Sequence, residues 1–177
     1  LNTLGGLTDA SHSLTAVAGR DINLTSSTRD TESAQGSATR VSRVAGLFVS
    51  DPAGELIATA GRDLNLNAAQ VVNSGAGGKT TLGAGNDINL GTVAVQEQQS
   101  MTWNSSNWRK ESSAGEVGSS VQGQGDVRLI AGHDLNARGA SVTSHQGAEQ
   151  ASADHDVNLT ASQNNAIADE AHNGKSK

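Results

Sequence analysis

Three observations predict an all-β fold, a parallel β-solenoid. The first is a phrase written five times. Ala18-Gly19-Arg20-Asp21-Ile22-Asn23-Leu24 returns at Ala60–Leu66 and at Ala84–Leu90, with weaker copies at Ala131–Ala137 and Ala153–Leu159. Copies this close make an internal repeat. The second is alternation around each aspartate. The residues one and three after it are Ile22/Leu24, Leu64/Leu66, Ile88/Leu90, Leu135/Ala137 and Val157/Leu159, always with Asn between them. Apolar-polar-apolar is a strand with one buried face. The third is spacing, since the five aspartates lie 42, 24, 47 and 22 residues apart. The short intervals suit one coil; the long ones suit two coils or one coil with an insertion. At about 22 residues per coil the chain makes about seven coils, a rod about 35 Å long for strands ~4.8 Å apart.

Each copy reads as strand, tight turn at Gly-x-Asp, strand, because upstream residues such as Leu14 and Ala16, or Leu56 and Ala58, alternate too. Gly is expected to supply a positive φ in that turn, and Asp to accept backbone N–H groups. The repeat residues Asp21, Asp63, Asp87, Asp134 and Asp156 sit at the turns. Stacking places Asn23, Asn65, Asn89, Asn136 and Asn158 in one column, where amides bond up and down the stack. A ligand ladder is the rival reading of that column; polar ladders ordinarily serve the scaffold.

In chain order, residues 1–24 are a lead-in coil with a Gly5-Gly6 turn. Residues 25–55 begin polar and exposed, then give Val41, Val44, Ala45, Phe48 and Val49. That spacing fits a helix face, but Gly46, the valines and the Pro52-Ala53-Gly54 turn favour strands. Residues 56–90 hold two copies one coil apart, residues 91–126 are the second long interval, and residues 127–162 hold two further copies. The repeat segment is therefore set at 1–162, and 163–177 is a polar tail or the start of another insertion. The chain starts and stops mid-pattern and is read as a piece of something longer.

Leu, Ile, Val and Phe make up only 33 of 177 residues, yet the net charge is a modest -6, so disorder is not implied. A thin solenoid core that Ala can fill accounts for the shortage. Mild acidity, with a pI of 5.2, offers no basic patch and excludes nucleic acid as a partner. There is no Cys, hence no disulfide or thiolate site. No apolar run is long enough to span a membrane as a helix.

The motif copies, with Gly77-Gly78-Lys79-Thr80-Thr81-Leu82 and Gly139-Ala140-Ser141-Val142, resemble the haemagglutinin repeats of filamentous haemagglutinin-like exoproteins of two-partner secretion systems. Short coils alternating with long Ser/Thr-rich segments look most like the second haemagglutinin-repeat region of contact-dependent growth inhibition exoproteins. The resemblance runs from about Leu14 to Leu159. It implies a right-handed parallel β-helix, secreted or held at the bacterial outer membrane. It implies three kinds of partner: neighbouring repeats of the same exoprotein, an outer-membrane transporter, and a target-cell outer membrane or receptor. In the growth-inhibition members the region is associated with toxin delivery. Asp154 departs from the pattern, standing where the other copies have Gly, and marks a looser coil.

Little here suggests catalysis. The motif aspartates sit at unevenly spaced turns rather than converging in a cleft, and no Ser-His-Asp arrangement is suggested. No cofactor and no metal is expected: calcium binding of the nonapeptide kind needs an apolar residue where Asn stands and a nine-residue period. His133 and His155 share one motif position, each followed by Asp, a pair of metal-ligating type. Arg20, Arg62 and Asn86 fill the same position, which reads as tolerance of polar residues. The candidate partner contact is Trp103, Trp108, Arg109 and Lys110. A four-residue loop at 104–107 would set the two Trp rings face to face for a receptor, glycan or headgroup. The plainer reading lays this hairpin on the solenoid flank.

Overall fold

The computed structural model describes residues 1–173, all in strands, turns and loops. The first coil comprises β1 (Asn2–Leu4), β2 (Leu7–Ala10) and β3 (Ser13–Ala18). The second is β4 (Ile22–Thr25), a hairpin of β5 (Ser27–Ser33) and β6 (Gly36–Arg43), then β7 (Gly46–Val49) and β8 (Glu55–Ala60). The third is β9 (Leu64–Asn67), β10 (Gln70–Asn73) and β11 (Lys79–Ala84). The fourth runs through the long β12 (Ile88–Asn104) and β13 (Asn107–Gly118) to β14 (Ser120–Gly123) and β15 (Val127–Ala131). The fifth is β16 (Leu135–Arg138), β17 (Ser141–Ser144) and β18 (Glu149–Ala153); β19 (Val157–Thr160) opens a sixth, and β20 (Asn165–Ala171) follows.

Strands one coil apart pair in parallel, giving a three-sided parallel β-helix. Side A stacks β1, β4, β9, the first residues of β12, β16 and β19; side B stacks β2, β7, β10, β14 and β17; side C stacks β3, β8, β11, β15 and β18. There are five complete coils and the start of a sixth among the described residues, fewer than the seven expected. The reason is that each long interval is one coil interrupted by a hairpin. Six strands on side A span about 24 Å.

Inward residues fill the prism. Ile22, Leu64, Ile88 and Leu135 form one buried column, and Leu24, Leu66, Leu90 and Ala137 the next. Side C ends in a column of alanines, Ala18, Ala60, Ala84, Ala131 and Ala153, where the coil narrows into its turn. This is how a chain poor in large apolar residues still closes a core. The last motif copy is the exception, with Val157 49% and Leu159 75% exposed, since among the described residues no strand stacks on β19 from above.

The motif glycines are not at positive φ, contrary to expectation; among the described residues that region holds Gly5, Gly77, Gly139, Ala53 and Ala68. What Gly61, Gly85 and Gly132 provide is close approach, since a Cβ on each would strike the carbonyl oxygen of the glycine one coil below. Their N–H groups reach Ala18, Ala60 and Ala84 carbonyls at 2.8, 3.0 and 2.9 Å. Asp154, with its Cβ, reaches Ala131 at 3.3 Å.

The corner between sides A and B takes two forms. Odd coils turn it through one left-handed residue, Gly5, Ala68 or Gly139. The second and fourth coils open there into the hairpins β5–β6 and β12–β13. These pair with each other and with β20 into an antiparallel sheet, order β5-β6-β12-β13-β20. A two-strand hairpin is about 9.6 Å wide, which is also the rise of two coils. Hairpins on alternate coils therefore join without a gap, as a fin running along the rod. The accessible area of 9977 Å² reflects this shape; a compact monomer of this mass exposes roughly 8,000 Å².

Two buried serines root the fin. Ser26 Oγ donates to Ala68 O (2.6 Å) and accepts from Ala45 N (3.0 Å). Ser119 Oγ shares its single hydrogen between Leu66 O (2.8 Å) and Gly91 O (2.9 Å) and accepts from Ala69 N (3.2 Å). Neither has a sequence signature.

Candidate functional site

Two polar constellations emerge from this scaffold. One is the stack of motif side chains on side A and its adjoining corner. Asn23, Asn65, Asn89, Asn136 and Asn158 stand in one column, with Asn2 beneath. Each Nδ2 donates to the Oδ1 of the Asn below, at 2.5, 2.7, 2.8, 3.0 and 2.9 Å in ascending order. Every interior amide is thus both donor and acceptor, committing one N–H and one lone pair to the neighbouring coils.

The aspartates form a second ladder at the turn. Asp21, Asp63, Asp87 and Asp134 each accept the backbone N–H of the motif Asp one coil above, at 3.4, 3.4, 3.0 and 3.1 Å. Each also meets the side chain before that Asp. Arg62 donates to Asp21 through two nitrogens (2.8 and 2.7 Å), and Asn86 to Asp63 (2.9 Å). His133 Nδ1 lies 3.3 Å from Asp87, and His155 Nδ1 2.9 Å from Asp134. Asp156 tops the column. The Arg62 hydrogen bonds hold the Asp21 carboxyl below its usual range. The His155 contact does the same for Asp134, and reciprocally raises His155. The two imidazoles stack, with centroids 4.8 Å apart and planes 10° from parallel.

The second constellation is the fin. Arg40 bridges its seam to Glu97 at 2.9 Å, and Arg138 ties side A to Glu116 at 2.8 Å. Glu116 also accepts the Gln163 N–H (2.9 Å), and this bond, with Arg138, keeps its carboxyl below the ordinary range. Both faces are wet. One shallow groove is lined by Glu32, Gln98, Ser100, Lys110, Ile167 and Asp169.

The two Trp rings do not face each other. Asn104 Oδ1 accepts from Ser106 N and Asn107 Nδ2, both at 2.9 Å, and this tightens the loop to the two residues Ser105 and Ser106. Asn104 then pairs with Asn107, Thr102 with Trp108, and the register slips at Trp103, leaving it 61% exposed. Nor is the hairpin laid on the flank; it stands out in the fin. Lys110 Nζ sits 5.4 Å over the Trp108 ring, two residues along the same face. Arg109, on the opposite face, contacts Glu111. The four residues proposed as one contact thus divide between the tip and two faces.

No helix among the described residues is long and apolar enough to cross a membrane. A family model described as Hemagglutinin repeat matches residues 100–176. Such repeats are β-helical and of a structural, non-enzymatic type, and proteins that carry them are typically secreted or surface-exposed. No curated protein and no solved structure matches the chain.

Proposed function

We propose that this chain is a structural segment of a secreted bacterial exoprotein of the filamentous haemagglutinin kind, a rod that holds a lateral fin at a fixed bearing. The observation that carries this reading is the Asn ladder over a closed apolar core, each interior amide bonded to the coil above and the coil below. Within that class, plain coils alternating with hairpin-bearing ones favour the contact-dependent growth inhibition exoproteins. The segment would there leave the cell through a two-partner outer-membrane transporter, stack against neighbouring repeats, and support toxin passage across a target outer membrane. The unit boundary at residue 162 belongs to the same proposal, with 163–177 a polar tail or the start of a further insertion.

The test is a producer strain whose exoprotein lacks the fin strands of residues 28–43 and 92–118, each replaced by a two-residue turn. The expected result is normal export and target-cell binding with loss of target-cell killing. Full killing by the finless protein refutes a delivery role.

A second reading, adhesion, is favoured by Trp103 and the Trp108–Lys110 pair at an exposed hairpin end. Under it, Trp103→Ala with Trp108→Ala abolishes binding to target cells while circular dichroism is unchanged.

A further inference from the structure

The upper half of the aspartate ladder differs in charge from the lower half. Below, the Arg62 guanidinium lies between two carboxylates, 2.7 Å from Asp21 and 3.2 Å from Asp63. Above, the same position holds Asn86, which bonds Asp63, then His133 and His155, and it is these two imidazoles that Asp87, Asp134 and Asp156 meet. His133 Nδ1 is 3.3 Å from both Asp87 Oδ1 and Asp134 Oδ2. His155 Nδ1 is 2.9 Å from Asp134 Oδ1 and 3.3 Å from Asp156 Oδ2. One ligand atom each from His133, Asp134 and His155 falls within 4.8 Å of the others.

We propose that His133, His155 and Asp134 bind one divalent transition-metal cation of the zinc class, which supplies at this end of the rod the positive charge Arg62 supplies below. Three things argue for it. Ligand atoms on a tetrahedral zinc at 2.0–2.1 Å lie roughly 3.3 Å apart, and the fold already sets His133 Nδ1 3.3 Å from Asp134 Oδ2 and His155 Nδ1 2.9 Å from Asp134 Oδ1. Imidazole with carboxylate is a donor set that selects zinc, copper or nickel over magnesium or calcium. And both imidazoles are more than half exposed, so an ion has a path in. The ion requires each Nδ1 to be unprotonated and the rings to tilt out of their stack toward one another. Asp87 and Asp156 flank the site, and a water completes the coordination.

The competing account is a proton on each Nδ1 hydrogen-bonded to the carboxylate below. Asn86 makes that bond from the same position, so His133→Asn and His155→Asn keep the ladder and remove the ligands. The experiment is calorimetric titration of the chelator-treated chain with zinc at pH 7.5, read alongside thermal unfolding with and without the ion. One zinc per chain, a raised unfolding temperature reversed by chelator, and at least roughly tenfold weaker binding in either variant support the site. The variants should unfold at the metal-free temperature of the parent. No zinc uptake, uptake unchanged in the double variant (placing it at other histidines), or equal uptake of magnesium would each overturn the proposal.

Discussion

The coiled body is built from strands of three to six residues and the fin from strands of up to 17, and the two are ordered by opposite means. In the body, the strands turn one face onto a sealed column of Leu, Ile, Val and Ala, and on side A and its adjoining turn the polar face is tied coil to coil by the ladders. In the fin, both faces meet water, and cohesion comes from antiparallel backbone pairing, the Arg40–Glu97 and Arg138–Glu116 ion pairs, and two serines at the root. Exposed pairs of that kind contribute little. The body is therefore self-sufficient, and the fin takes its spacing from the pitch beneath it.

The largest contrast is in the core. Leu66→Ala, fully buried, should cost about 2–5 kcal/mol in urea unfolding, while Gln98→Ala in the fin should stay within about 0.5 kcal/mol. Comparable losses would mean that the fin carries part of the core's burden. Next come two glycines that each face a carbonyl. A Cβ at Gly75 would strike Asp51 O between coils, and one at Gly36 would strike Gln98 O across the fin seam. Each alanine variant should cost about 1–3 kcal/mol locally. Gly75→Ala should lower the midpoint for the whole molecule, whereas Gly36→Ala should speed amide exchange in β5 and β6 alone.

Asn65→Ala strands Asn23 Oδ1 and Asn89 Nδ2 in the ladder and should cost about 1–2 kcal/mol. Ala68→Gly should be nearly neutral. Left-handed alanine is strained by about 1–2 kcal/mol, but glycine loses about 0.5–1 in entropy and the buried methyl is worth about 0.8, so unfolding should shift by no more than about 0.5 kcal/mol.

The smallest effect is acid loosening at the fin. Glu116 has its carboxyl depressed in the folded chain, so its contribution is complete above the ordinary glutamate value of 4.5 and fades as pH falls through the folded value. Exchange protection factors of β20, compared at pH 7 and pH 3.5, should drop in the parent and not in Glu116→Gln.

Much of the body was legible in the sequence, because sides C and A carry the repeated phrase and stacking forces like residues into columns. Side B was not. Its inward pairs Leu47/Val49, Val71/Asn73, Val121/Gly123 and Val142/Ser144 share no spelling, since a buried position asks only for fit. The coil number misled for a related reason: 42 residues fit two plain coils or one carrying a hairpin, and alternation is the same in both. The Trp pairing failed on a single side chain, Asn104, whose bonds shorten the loop. That His133 and His155 fall in register followed from their shared place in the motif; the carboxylate both approach became visible only when the coils were stacked.

The equality between the width of a hairpin and the rise of two coils imposes a parity rule on evolution. Deleting one plain coil would set hairpins on successive coils, where two strands must occupy the height of one. Deleting or duplicating a pair keeps the lateral sheet commensurate with the axis. The inheritable module is then the double coil, 66 residues from Asp21 to Asp87 and 69 from Asp87 to Asp156. Length should change in this lineage by even steps.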